Sequence, residues 1–205
     1  MNYSLHQKFT EYGLVDVLTI CPTIQVSLKY ASTDNFMGIN MYGKLDKAYV
    51  VPEIAEMLKK AQFLLQSIHP GFSLLIYDAA RPLSIQQKMF NYVKGTPQEK
   101  YIANPGINGG GYHNYGIAVD LTIIDKNSQP LDMGSEFDCF NEISNVGNEY
   151  LLVQKNLISL EAVHNRTLLK TTMEQVGFEQ NPDEWWHFQK YSKEELQKRY
   201  KLLSF

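Results

Sequence analysis

His113 and Asp120 stand seven residues apart in GYHNYGIAVDLTI (residues 111–123), and Glu184 and His187 bracket two tryptophans in EWWH. An aspartate inside an otherwise apolar run needs a partner, because a buried carboxylate is costly unless it is paired or bound to a metal. Two imidazoles and one carboxylate are the nitrogen and oxygen donors that zinc takes at about 2.0–2.2 Å, and catalytic zinc sites use three such ligands with an open position. His113, Asp120 and His187 therefore form a candidate ligand set for one zinc ion. Glu184 is then a spare carboxylate beside the open position, suited to accept a proton from water and pass it to a leaving amine. Each cluster alone also fits a structural reading: a loop histidine with a hydrogen-bonded carboxylate, and a tryptophan-packed core strand with an exposed Glu184.

Geometry imposes a condition on the first pair. Along a straight strand, side chains an odd number apart point to opposite faces. His113 and Asp120 can converge only if the chain bends between them, and Gly116 is placed to permit that bend. Glu184 and His187, three apart, share a side of any turn-like segment. Arg81, in YDAARP, ends an apolar run and is followed by Pro82. A guanidinium fixed there can stabilise an oxyanion, or it can pair with Asp78 as a structural fitting.

The elements that must hold these groups follow from periodicity. Residues 14–30 alternate and suggest two strands around the Cys21-Pro22 turn. Pro52 opens a helix whose apolar positions run from Ile54 to Ile68, before the Pro70-Gly71 stop. FSLLIYDAA reads as a buried strand, and Ser84 with Gln87 as the capping box of a helix ending near Val93. Residues 96–112 read as a long loop, and GIAVDLTII as a central strand. A long helix is expected over roughly residues 155–176, closed by Gly177. Ser192 and Glu195 cap a last helix. Interleaved helices and strands with hairpin-like pairs point to an α+β fold. One domain over residues 1–205 is expected, with a mostly antiparallel central sheet flanked by helices.

Composition narrows the function classes. The 205 residues carry a formal charge of −3 and are 44% hydrophobic, so no basic field invites nucleic acid. No apolar run reaches the roughly 20 residues that span a bilayer, and MNYSLHQKFTEYG lacks an apolar signal core. Cytoplasmic residence is the expectation. Cys21 and Cys139 form no CxxC pair and read as small side chains in the fold rather than thiolate ligands.

Taken together, these segments resemble a known family. GYHNYGIAVD is similar to the zinc motif Ser-x-His-x-x-Gly-x-Ala-x-Asp of the D-alanyl-D-alanine dipeptidases and the related D,D-carboxypeptidases and endopeptidases. EWWHF resembles their second motif and YDAARP their Asp-x-x-Arg-Pro segment. KYASTDNF and MGSEFD resemble the dipeptidase branch. The likeness runs in order from about residue 25 to residue 190. It implies that His113, Asp120 and His187 bind one zinc ion, that Glu184 is the general base, and that Arg81 polarises the scissile carbonyl. It also implies that Asp138 receives the substrate ammonium with Tyr30 nearby. The implied substrate is D-Ala-D-Ala or a close D,D-dipeptide. The implied rival substrates are peptidoglycan peptides cut by a carboxypeptidase or endopeptidase. The resemblance extends to the hedgehog signalling domain, where metal and catalysis part, so a zinc-stabilised binding module is the rival of another class. Retention of Glu184 speaks against it, since a structural site needs no spare base. One departure concerns substrate: the motif serine is Gly111 here, followed by Tyr112, which is expected to reshape the pocket or act as a lid carried by IANPGINGGGY.

Overall fold

In the computed structural model, which describes residues 4–107 and 109–205, the apolar run GIAVDLTII is the centre of the molecule. Its seven residues Ala118–Ile124 are all buried. Numbered along the chain, the strands are β1 (Val15–Asp16), β2 (Gln25–Val26), β3 (Tyr49–Val50), β4 (Ser73–Asp78), β5 (Ala118–Ile124), β6 (Glu179–Gln180) and β7 (His187–Gln189). The helices are α1 (Leu5–Glu11), α2 (Val17–Ile20), α3 (Pro52–Ile68), α4 (Leu83–Val93), α5 (Glu149–Gln154), α6 (Leu160–Glu174) and α7 (Lys193–Arg199). Five strands form the main sheet in the order β2-β4-β5-β7-β6, while β1 and β3 pair apart from it. Only β2 and β4 run parallel in the main sheet; its other pairs are antiparallel. This is the expected α+β architecture. A strand buried on both faces reads as a continuous apolar run rather than an alternation, which is why β5 was legible.

Helix α3 lays Ile54, Met57, Leu58, Ala61 and Leu65 into the core, as its spacing predicts. Three expectations need correction. Residues 14–30 hold only the two-residue strands β1 and β2, because Asp16 caps the Leu18 amide at 3.0 Å and turns the chain into α2. The Ser84–Gln87 capping box does not form. Helix α4 starts after Pro82, and the C-terminal tail satisfies its first amides: Leu83 N–H donates to Leu203 O and Ser84 N–H to Phe205 O. The helix expected over residues 155–176 is shorter, α6 alone, and the separate α5 ends before that range begins. The chain breaks at Asn156, whose φ is +54°, and restarts at Ser159, which caps Ala162 N–H at 2.9 Å. The long loop over 96–112 contains a 3₁₀ turn, Pro97–Tyr101; its Asn108 lies outside the described residues. Both cysteines are free thiols, Cys21 buried and Cys139 half-buried. Among the described residues, no helix is long and apolar enough to cross a membrane.

The bend demanded between His113 and Asp120 is present. Tyr112–Tyr115 form a 3₁₀ turn that ends at Gly116, with φ of +69°. A Cβ at Gly116 would also lie 2.5 Å from Leu14 Cδ2 in the core. Conformation and space therefore both require glycine. Gly116→Ala is expected to cost about 1–3 kcal/mol, which lowers Tm by roughly 3–10 °C in a chain of this size, and to weaken zinc retention by displacing His113. Thermal melts with and without zinc measure both effects; an unchanged Tm and zinc content would contradict them.

Candidate active site

Sheet register builds most of the site. Asp78 on β4 lies opposite Asp120 on β5, and Asp120 lies opposite His187 on β7, so three neighbouring strands place these side chains in one row. An irregularity between Ile76 and Asp78 sets this pairing. His113 comes from the turn before Gly116. It is braced against the end of β4, where Arg81 N–H donates to His113 O at 3.0 Å and Asn114 Nδ2 donates to Arg81 O at 2.8 Å.

The three donors converge. His113 Nε2 lies 3.2 Å from Asp120 Oδ1 and 3.1 Å from His187 Nδ1, and His187 Nδ1 lies 2.9 Å from Asp120 Oδ1. Bonds of about 2.0–2.1 Å give a tetrahedron edges of about 3.3 Å, so these separations fit one zinc ion. The outer nitrogens are committed elsewhere. His113 Nδ1 is 2.7 Å from the Ala79 carbonyl, and His187 Nε2 is 2.9 Å from Gln189 Oε1. Each of these bonds directs a ring N–H outward and turns the other nitrogen's lone pair to the centre. All three residues are buried. Burial opposes ionisation of Asp120, yet His113 and His187 hold its pKa well below the ordinary carboxylate value. The centre is thus built for positive charge, and among the described residues no other cluster of three such groups converges this way.

Glu184 is buried beside this centre rather than in it. Its Oε2 is 3.9 Å from His187 Nδ1 and accepts a hydrogen bond from Asn181 Nδ2 at 2.9 Å. Burial pushes its pKa up to about 7, against the opposing pull of His187. A carboxylate in that range is matched to proton transfer near neutrality. The two tryptophans beside it are fully enclosed, and the Trp185 indole N–H donates to Ser135 Oγ at 2.9 Å.

Arg81 is held by structural bonds and keeps donors to spare. Its Nε and Nη2 donate to Asp78 Oδ2 at 2.9 and 2.6 Å, and Nη1 donates to Gln86 Oε1 at 3.0 Å. Nη2 also stands 3.6 Å from Asp120 Oδ2, which offsets two carboxylates facing each other across β4 and β5. A guanidinium carries five N–H donors; three are committed to Asp78 and Gln86, which leaves two for the cleft that Arg81 lines. Tyr42 O–H completes the support by donating to Asp78 Oδ1 at 2.7 Å.

The cleft has a volume of about 540 Å³ and is lined by Tyr30, Arg81, Tyr112, His113, Asp120, Asp138, Glu184 and His187 among others, so it gathers the candidate ligands, base, arginine and substrate-binding residues named from the sequence. Asp138 Oδ1 accepts from Tyr30 O–H at 2.9 Å and Oδ2 from Phe36 N–H at 3.2 Å. Burial pushes the Asp138 carboxyl up to about 8. Tyr112 is half-buried in the wall, its ring centroid 6.5 Å from that of His187. Sequence reasoning missed Asn181, Gln86, Gln189 and Lys193. Asn181, three residues before Glu184, Gln189, two after His187 on the same strand, and Gln86, five after Arg81, are sequence neighbours of their partners; Lys193 reaches the site through a distant contact.

With this geometry in place, comparison with known proteins is direct. The family model described as D-ala-D-ala dipeptidase matches residues 10–203. The chain belongs to the D-Ala-D-Ala dipeptidase family. It is 32% identical to the D-alanyl-D-alanine dipeptidase of Escherichia coli (strain K12), over 86% of this chain and 83% of that one. The dipeptidase of the same name from Enterococcus faecium is 30% identical, over 87% of this chain and 91% of its own. That from Synechocystis sp. (strain ATCC 27184 / PCC 6803 / Kazusa) is 30% identical over 66% of each. The family is thus matched along nearly the whole chain, including both stretches that carry the converging donors.

Proposed function

We propose that the chain, acting as one catalytic domain with one zinc ion, hydrolyses D-Ala-D-Ala or a closely related D,D-dipeptide. The observation that carries this reading is Glu184: a second carboxylate, buried beside the His113, Asp120 and His187 donors, that those donors do not need. Bound zinc supplies Lewis acidity toward a carbonyl and toward water. Glu184 then takes the proton of the nucleophilic water on a carboxylate oxygen and delivers it to the departing amine nitrogen. The two uncommitted N–H groups of Arg81 face the oxygen that becomes negative. Asn181 holds Glu184 in place through its 2.9 Å bond. Asp138 and Tyr30 receive the free ammonium of the dipeptide. A preference for the free dipeptide goes with the cytoplasmic residence expected from the sequence.

The test is a kinetic panel on the zinc-loaded chain: D-Ala-D-Ala, its N-acetyl derivative, and a pentapeptide muropeptide. Acylation removes the ammonium and leaves a buried acid without its partner, so kcat/KM is expected to fall at least about 10²-fold. Cleavage of the larger substrates alone would point to the carboxypeptidase or endopeptidase rival and end the dipeptidase reading. No cleavage by the zinc-loaded chain would favour a binding module.

The same end of the cleft predicts a pH dependence. Asp138, with its pKa pushed up to about 8, is ionised only as pH rises through that value. The substrate α-amino group loses its proton at about pH 8. The ion pair therefore has its largest share near pH 8, and KM for D-Ala-D-Ala is expected to be lowest there and to rise on either side. Asp138→Asn should raise KM and flatten this profile. A wild-type KM independent of pH between about 6 and 9 would remove Asp138 from substrate binding.

A further inference from the structure

The cleft has a second charged end. Lys193, the first residue of α7, lines it. Its Nζ donates to the Gly110 carbonyl and lies 5.5 Å from the Tyr112 ring centroid and 5.3 Å from that of Tyr115. Lys193 is half-buried, and burial lowers its pKa. Among the described residues it forms no ion pair, whereas Lys29, Lys47, Lys170 and Lys190 each meet a carboxylate. An ammonium drawn out of water and offered, among the described residues, a carbonyl and two ring faces lacks the counter-charge that would offset its desolvation.

Its position relative to the other charges is informative. A continuous line of contacts runs from Asp138 to Tyr30, from the Tyr30 ring to Arg81, and from Arg81 to Asp120 and His187. From His187 it continues to the Tyr112 ring and so to Lys193. The three converging donors thus lie on the path of contacts that joins a carboxylate to an ammonium. The other lysine on the cleft, Lys100, is exposed. It sits over Tyr101, which stacks on Phe140 two residues from Asp138. The position that carries serine in the family motif is Gly111 here.

We propose that Lys193 binds the terminal carboxylate of the substrate, at the end of the cleft opposite Asp138, and so makes the site selective for a free C-terminal acid. This rests on the dipeptidase reading. A zwitterionic dipeptide then places its ammonium at Asp138, its scissile carbonyl at the donors and Arg81, and its carboxylate at Lys193. Tyr112 and Tyr115 hold the Lys193 ammonium over their faces, and Gly110 fixes its approach.

The experiment uses the full chain loaded with zinc and two probes, D-Ala-D-Ala and D-alanyl-D-alanine amide. Lys193→Met is expected to raise KM for the free acid about 10–100-fold, the range for a lost charge-assisted contact, with kcat changed by less than about threefold. The preference of the wild type for acid over amide should vanish in this variant. Lys193→Arg should recover most of it, because the cation is retained. Zinc content and Tm of each variant report folding. Should Lys193→Met fail to fold, the wild-type acid-to-amide ratio and Lys193→Arg decide the matter. A wild type that takes the amide as readily as the acid overturns the proposal, as does Lys193→Met with unchanged KM. A wild type that turns over neither probe overturns the dipeptidase reading, and this proposal falls with it.

Discussion

Replacing Glu184 by alanine is expected to lower kcat by about 10²–10⁴-fold, the range attributed to a positioned general base, with zinc content unchanged. The separation of effects follows from position. Glu184 approaches the donors at 3.9 Å from His187 Nδ1 but is not one of the converging three. Its pKa of about 7 comes from burial, and a nearby dication lowers it. In the wild type, kcat should therefore rise with pH along a limb at or below 7, and Glu184→Ala should lose that limb. Glu184→Gln adds a sign that catalysis cannot mimic. A carboxyl whose folded pKa is raised favours the folded state below its unfolded pKa of about 4.3, and that contribution is lost as pH rises through the folded value near 7. Removing the charge should leave the metal-free chain equally or more heat-stable at pH 8 than the wild type. Steady-state kinetics, elemental analysis and thermal melts are sufficient. Undiminished hydrolysis by Glu184→Ala would sink the mechanism.

The second large effect is on the metal. His113→Ala removes one of three donors. Structural zinc sites bind with about 10–16 kcal/mol shared among their ligands, so losing one is expected to cost about 3–4 kcal/mol. That is on the order of 10²–10³-fold in affinity. The purified variant should hold substoichiometric zinc and show no measurable hydrolysis at limiting metal. Chelation of the wild type should abolish activity reversibly, with recovery on adding zinc. Because His113 also braces the end of β4 through its carbonyl bond to Arg81 N–H, an intact fold must be verified by melting. That contact is a backbone one and survives the substitution. Full zinc occupancy in a folded His113→Ala chain would remove His113 from the ligand set.

Much of this arrangement could be read from residue types and spacing. The α3 helix, the buried strands β4 and β5 and the capped α7 each have a local cause: 3.6-residue periodicity, an unbroken apolar run, and a Ser192–Glu195 capping box that forms as expected. The requirement for a bend at Gly116 followed from strand parity alone. The failures have both distant and local causes. The amides of Leu83 and Ser84 were claimed by the C-terminal tail. Asp16 capped a helix where alternation suggested a strand. Asn156 entered the left-handed region within an expected single helix.

What the sequence determined by itself is the chemical inventory: two histidines, an aspartate, a spare glutamate and an arginine, in segments that resemble a known family, with a glycine where the chain must turn. Only the tertiary structure decided how they act. It paired Asp78, Asp120 and His187 across three strands, turned both imidazoles inward with Ala79 and Gln189, and buried Glu184 and Asp138 enough to shift their protons. It also carried Lys193, eighty residues beyond His113, to the same cleft. Strand register and the burial of charged groups are properties of the packed chain, set by contacts between residues remote in sequence, and no local pattern encodes them.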